Sequence, residues 1–338
     1  MDLDNSQRQK DYVYASSRVR SVEKTLLNRD RTESLIECKF PADALKILYE
    51  AGYGEGTEPL PSERFEELLA AETRKSCAFI RSIAPDHRDL YPMFYQYDYH
   101  NLRVLLKAEF LQTEADSFLI DNGTIPAAKL ADMVMNRDFV GMTPIMKAAV
   151  LEVLDVFART QDPQTIDFIM DRAFFQEIRE SAAQAGSEFL KGYVSLLIDI
   201  TNLKTFVRLR QMKKSWDAFT HVYIDGGRIQ EKLFVASFDE PFEQFTEKMV
   251  PYGLKEAMEA GGAMLRESGR FTALERACDD RIMAYAKEAK YISFGLEPLI
   301  AYLIAKESEI RNVRIALTGL IQGLSRDMMV ERLRETYV

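Results

Sequence analysis

Residues 188–213 read Glu-Phe-Leu-Lys-Gly-Tyr-Val-Ser-Leu-Leu-Ile-Asp-Ile-Thr-Asn-Leu-Lys-Thr-Phe-Val-Arg-Leu-Arg-Gln-Met-Lys. The stretch is long and richly apolar, the signature of a helix buried on more than one side. Residues 296–324 have the same character. Shorter stretches carry the 3.6-residue period: Leu130, Met133 and Val134 fall at i, i+3 and i+4. Over 145–158, Ile145, Ala149, Leu151, Val153, Leu154 and Phe157 are expected to form one broad apolar face. Period-2 alternation bounded by turn residues is almost absent, so the fold class is all-α.

Breaks in this pattern fall at turn formers. Gly52-Tyr53-Gly54-Glu55-Gly56, followed by Pro59 and Pro61, is expected to be a loop. Pro85 and Pro92 flank a second connector, and Pro163 follows Gln161-Asp162. Asp121-Asn122-Gly123 and Asp225-Gly226-Gly227 are turn signals between helical stretches. With Pro241, Pro251 and Gly261-Gly262, residues 237–262 are expected to be short helices with irregular links.

Working outward from Asp199 and Asn202, a pattern recurs. Residues 98–103 are Asp-Tyr-His-Asn-Leu-Arg, 199–204 are Asp-Ile-Thr-Asn-Leu-Lys and 309–314 are Glu-Ile-Arg-Asn-Val-Arg. The shared form is acid-x-x-Asn-aliphatic-base. Upstream, Asp171-Arg172 and Asp280-Arg281 are expected to open helices, with Glu72 and Arg74 a weaker first copy. Downstream, Asp-x-Gly-x-Ile occurs at 121–125 and again at 225–229, and Gly323 follows Asn312 by 11 residues. Each unit is a helix, a second helix bearing acid-x-x-Asn, and a turn. The expected division is 1–120, 121–224 and 225–338, three similar helical subdomains in a quasi-threefold assembly.

Positions i and i+3 share a helix face, so Asp98 projects with Asn101, Asp199 with Asn202 and Glu309 with Asn312. A hard cation or acid–base chemistry would need further carboxylates or histidines beside them, and none recurs. The preferred reading is structural: buried acid and amide groups tie loops by accepting and donating hydrogen bonds. Arg172 and Arg281 are the expected partners of the acids, and Arg103, Lys204 and Arg314 complete the motif.

Other chemistry is excluded motif by motif. There is no GxxxxGK[ST], no GxSxG and no HExxH. Cys38, Cys77 and Cys278 are far apart with no CxxC, and His87, His100 and His221 share no metal-like spacing. Arg208, Arg210, Lys213 and Lys214 read as a solvated basic face, with an acidic partner surface as the alternative. Trp216 reads as a packing residue at a helix end. The 338 residues carry 44 Lys+Arg and 53 Asp+Glu, a net charge of −9, opposite to the bias of a general nucleic-acid binder. The start, Met1-Asp2-Leu3-Asp4-Asn5, is polar and is not expected to be a signal peptide. Apolar runs such as Pro298–Ala305 are shorter than the ~18 residues of a membrane span. The chain is expected to be cytosolic or peripheral to a membrane.

The residues that carry the repeat also carry a resemblance. Phe294-Gly295-Leu296-Glu297-Pro298-Leu299, Tyr302, Lys306-Glu307-Ser308-Glu309-Ile310-Arg311-Asn312-Val313-Arg314, Gly319, Gly323 and the ending Glu331-Arg332-Leu333-Arg334-Glu335-Thr336-Tyr337-Val338 resemble the C subunit of prokaryotic V-type or A-type rotary ATPases, the counterpart of the eukaryotic d subunit. Tyr12-Val13-Tyr14-Ala15-x-x-Arg18-Val19-Arg20 and Tyr97-Asp98-x-x-Asn101-Leu102-Arg103 match as well. The resemblance implies a funnel-shaped, all-α body with no catalytic, cofactor or metal site. It implies a place on the cytoplasmic face of the membrane, between the central-stalk axle of the soluble head and the membrane proteolipid ring. There it would turn with the rotor during proton or sodium transport. Two further readings are a helical-repeat adaptor for other proteins and an all-α enzyme that uses acid-x-x-Asn in a cleft.

Overall fold

The computed structural model describes residues 11–55 and 58–338. The opening Met1–Asn5 and Gly56 lie outside the described residues. Among the described residues the chain is all-helical, with a lone Val140–Met142 bridge and no strand.

In chain order, residues 1–85 contribute α1 (Val13–Glu23), α2 (Arg29–Glu37), α3 (Pro41–Glu50) and α4 (Phe65–Ile83). Next come α5 (Tyr91–Leu111), α6 (Ala127–Asn136), α7 (Pro144–Thr160), α8 (Pro163–Ala185), α9 (Glu188–Gln211), α10 (Trp216–Thr220) and α11 (Glu231–Ala236). The remainder holds α12 (Phe242–Lys248), α13 (Lys255–Ser268), α14 (Thr272–Glu288), α15 (Glu297–Ile321) and α16 (Arg326–Val330). The stretches 188–213 and 296–324 are helical over nearly their whole length, as α9 and α15.

Local chemistry explains the boundaries. Prolines 41, 92, 144, 163 and 298 stand in first turns, where a missing N–H costs nothing. Thr143 and Ser187 accept from Met146 N and Leu190 N, satisfying orphan amides at the starts of α7 and α9.

The chain divides into two compact units, 1–85 with 236–338, and 86–235. This division cuts across the repeat read from the sequence, because residues 86–120 pack with those that follow them. In the first unit α15 is central and packs against α1, α2, α3, α4, α14 and α16. Its apolar residues Ile310, Val313, Ala316 and Leu317 join Leu35, Leu48, Leu68 and Leu69 in one core. In the second unit α8 packs against α5, α7 and α9. An aromatic cluster forms where Phe206, Phe219 and Phe234 meet, with centroids 5.0–5.5 Å apart.

Four local expectations are corrected. Leu151 faces solvent, and Met146 and Val150 take its place on the buried face of α7. Asp171-Arg172 and Asp280-Arg281 lie inside α8 and α14, not at their starts. Gly261-Gly262 is no link but a buried pair within α13. A Cβ at Gly261 would stand 2.6 Å from Leu274 Cβ, and one at Gly262 would stand 2.5 Å from Phe242 Cε1. These glycines admit close helix packing, which leaves the same sequence signal as a turn. Trp216 starts α10 but is half exposed, so it packs with only part of its surface.

Candidate functional site

The three helices that carry acid-x-x-Asn end alike. The residues 11 positions after each Asn are Gln112, Lys213 and Gly323, and all are left-handed, with φ of 54°, 55° and 66°. The next amide reaches back in each case: Thr113 N to Ala108 O at 2.9 Å, Lys214 N to Leu209 O at 3.0 Å, Leu324 N to Gly319 O at 2.9 Å. These bonds satisfy carbonyls that a helix end leaves open. A short helical turn follows, at Asp116–Phe118, α10 and α16. Ser215 and Ser325 cap the latter two by accepting from Ala218 N and Met328 N. Gly323 marked this geometry in the sequence. Gln112 and Lys213 did not, because neither residue type favours a positive φ.

The chain then returns past the asparagine. Asn101 Nδ2 donates to Ile120 O at 2.8 Å, and Ile120 N donates to Asn101 Oδ1 at 2.8 Å. Asn202 exchanges the same pair with Ile224 at 2.7 and 2.9 Å. Asn312 does so with Arg334 at 3.0 and 2.8 Å. A side-chain amide offers one donor and one acceptor in a plane, which matches the N–H and C=O of a single residue. An aspartate could accept but not donate. All three asparagines are buried, and each clamp gives two backbone groups a partner where water is wholly excluded, as at Ile224, or partly excluded, as at Ile120 and Arg334.

The acids diverge. Asp98 accepts from Thr124 N at 2.8 Å, Thr124 Oγ1 at 2.7 Å and Ile125 N at 3.1 Å. Asp199 accepts from Ile229 N at 2.9 Å. The glycine of each Asp-x-Gly-x-Ile turn makes this reach feasible. A Cβ at Gly123 would stand 2.0 Å from Asp98 Oδ1, and one at Gly227 would stand 2.3 Å from Asp199 Oδ1. Burial pushes the Asp199 carboxyl above the usual aspartate range, while the Ile229 and Arg228 amides pull it back.

Glu309 holds a different segment. Its carboxylate accepts from Leu27 N and Tyr53 Oη, each at 2.5 Å, and from Lys306 Nζ at 2.7 Å. Lys306 also pairs with Glu72 at 2.8 Å and sits 4.8 Å from the Tyr53 ring centroid. Lys306, Glu72, Glu309 and Tyr53 are all buried. Burial works against the ammonium charge, but Glu309 and Glu72 outweigh it and hold Lys306 above the usual lysine range. Glu72 was expected only as a weak copy of the Asp-Arg element, and the sequence does not place Lys306 or Tyr53 beside it. Their separations along the chain, 256 residues for Tyr53 and Glu309, leave no periodic signal.

The arginines are employed otherwise than expected. Arg172 pairs with Glu152 at 2.6 Å instead of with Asp199. Its position on the exposed side of α8 faces α7. Arg281 passes beside Gly253 and forms no ion pair among the described residues. Asp280 accepts from Glu335 N at 2.6 Å. Of the motif bases, Arg103 pairs with Asp171 and Arg314 with Glu66, at 2.5 and 2.8 Å. Lys204 is half-buried, without an ion pair among the described residues.

Among the described residues no group of three His, Cys, Asp or Glu is placed to hold a metal ion, and no helix is long and apolar enough to cross a membrane. The repeated geometry is a set of loop-holding clamps on long helices.

Residues 15–332 match the family described as ATP synthase (C/AC39) subunit, and the chain belongs to that family. It is similar to the C subunit of the V-type sodium ATPase of Enterococcus hirae, with 26% identity over 94% of this chain and 97% of the relative. It is also similar to the C subunit of the V-type ATP synthase of Thermus thermophilus, with 23% identity over 95% and 98%. The C subunit of the A-type ATP synthase of Methanocaldococcus jannaschii shares 21% identity over 93% of this chain and 84% of its own length.

Proposed function

We propose that the chain is a non-catalytic central-stalk subunit of a V-type rotary ATPase. It acts as a socket that couples the axle of the soluble head to the membrane proteolipid ring. The three repeats assemble as a quasi-threefold funnel at the cytoplasmic face, peripheral to the membrane, and pass torque for proton or sodium transport. The observation that carries the reading is the employment of the repeated polar residues. Asp98, Asp199 and Glu309 are 0%, 1% and 6% exposed, and each accepts from a backbone amide of the chain's own loops. Carboxylates turned to the chain's own backbone in this way stiffen a body. Torque transfer requires that stiffness, which packed helices supply.

The test is reconstitution. Complexes lacking this chain are expected to release a head that still hydrolyses ATP, and ATP-driven ion transport is expected to vanish. Adding back the purified chain should restore both attachment and transport. Undiminished transport without the chain would overturn the reading. So would co-purification with unrelated proteins and with neither sector, as an adaptor would show.

A further inference from the structure

The turn that ends each long helix has the same backbone in all three copies but not the same surface. In the third copy Gly323 supplies the left-handed residue, and Leu324 packs against the core of its own unit. In the second copy Lys213 and Lys214 occupy those two positions, and both are exposed. Lys213 holds φ of +55°, a conformation that disfavours any residue with a Cβ. In the first copy Gln112 stands at the same place with φ of 54°, so this helix end admits a side chain as well as the glycine of the third copy. Residues 211–217 form an unbroken exposed run, in which Met212 and Trp216 are 58% and 50% exposed. Neither Lys213 nor Lys214 has an ion pair among the described residues, and the nearby Asp217 lies against His221 instead. The run is held firmly nonetheless, by the Lys214 N–Leu209 O bond and by the Ser215 cap.

We infer that this turn, Met212–Trp216, docks an acidic surface of a protein partner in the ATPase complex. Two ammonium groups without an ion pair among the described residues supply charge complementarity, and the neighbouring Met and Trp supply the apolar anchors that interfaces concentrate. An anionic lipid surface is the less favoured occupant. Recognition of that kind relies on clusters of about 4–8 basic residues. Here Lys213 and Lys214 lack an ion pair among the described residues, Arg208 is exposed on the preceding turn, and Arg210 stacks 5.4 Å from the Phe206 ring centroid, so the group reaches only the lower bound of such a cluster. The chain as a whole also carries −9.

The inference rests on the central-stalk reading, and the experiment separates the two. The full-length chain is titrated into the isolated soluble head with its axle and, separately, into the isolated membrane sector. The K213E/K214E double variant is expected to bind one sector at least tenfold more weakly, with a shallower salt dependence, at an unchanged melting temperature. Lys213→Gly is expected to weaken binding severalfold while raising the melting temperature, a combination that a purely structural role would not produce. Trp216→Ala should weaken binding to that same sector. Wild-type binding that all three variants retain would overturn the docking assignment and leave the stalk reading intact. Failure of the wild-type chain to bind either sector would overturn the stalk reading itself. Retained sector binding together with lost binding to phosphatidylserine vesicles would assign the turn to lipid and overturn the protein docking.

Discussion

Residues 86–235 and the unit formed by 1–85 with 236–338 apply one motif in two ways. In the first, Asp98 and Asp199 hold the turn that follows their own helix, about 26–30 residues downstream. In the second, Glu309 holds Leu27, which is 282 residues away, and shares its charge with Lys306 inside a buried cluster. The Asn clamp is common to both units. Asparagine reads a local backbone amide, and its geometry survives wherever the chain doubles back. An acid needs only donors, and the tertiary packing decides which donors arrive. The longer Glu309 side chain reaches a segment that an aspartate of the same register would leave short.

The sharpest way to break this comparison is to remove the cation of the buried cluster. Lys306→Met would leave Glu72 and Glu309 buried without their counter-charge, and should destabilise its unit by about 3–5 kcal/mol. The matched substitution in the other unit is Lys107→Met. It removes a half-exposed pair with Asp167 at 2.7 Å and should cost at most about 1 kcal/mol. Urea unfolding followed by circular dichroism measures both. Equal losses would dissolve the distinction between the units.

The clamps are expected to be equivalent across it. Asn202→Ala strands the buried N–H and C=O of Ile224, and Asn312→Ala strands the part-buried pair of Arg334, at about 1–3 kcal/mol per group with the second toward the lower end. Hydrogen exchange should show loss of protection at the amides of Ile224 and Arg334 respectively. Protection that survives at either site would remove that copy from the repeat.

A smaller effect tests the glycine that serves the aspartate. Gly227→Ala places a methyl against the Asp199 carboxylate, and should cost about 1–3 kcal/mol by overpacking. Gly323→Ala has no neighbour within 4 Å. It bears only the penalty of a positive φ, about 1 kcal/mol. The ordering of the two melting temperatures is the readout.

The smallest effect is a pH dependence. The folded-state pKa of Asp199 is raised, chiefly by burial, so the folded protein binds its proton more tightly than the unfolded chain does. The contribution of Asp199 to stability is therefore greatest below the unfolded value near 3.8 and declines as pH rises through the folded value. Asp199→Asn keeps an oxygen for Ile229 N and removes that titration. Its stability relative to the wild type should rise as pH moves upward through this window. A difference that stays flat with pH would place the raised proton affinity elsewhere.

Helical class, the two longest helices and the triple acid-x-x-Asn motif were legible from residue pattern alone, since the 3.6-residue period and a repeated polar register are local properties of a chain. So were the Asp-x-Gly-x-Ile turns, because glycine is required where a carboxylate enters a loop. What each acid holds, the partners of Arg172, the buried Lys306 cluster and the division into 1–85 with 236–338 against 86–235 were decided by tertiary structure. Those outcomes depend on which distant backbone amides and charges are brought within 3 Å of one another. No spacing in a sequence encodes a contact between residues 27 and 309; packing of α15 against the N-terminal helices creates it, and burial makes it matter.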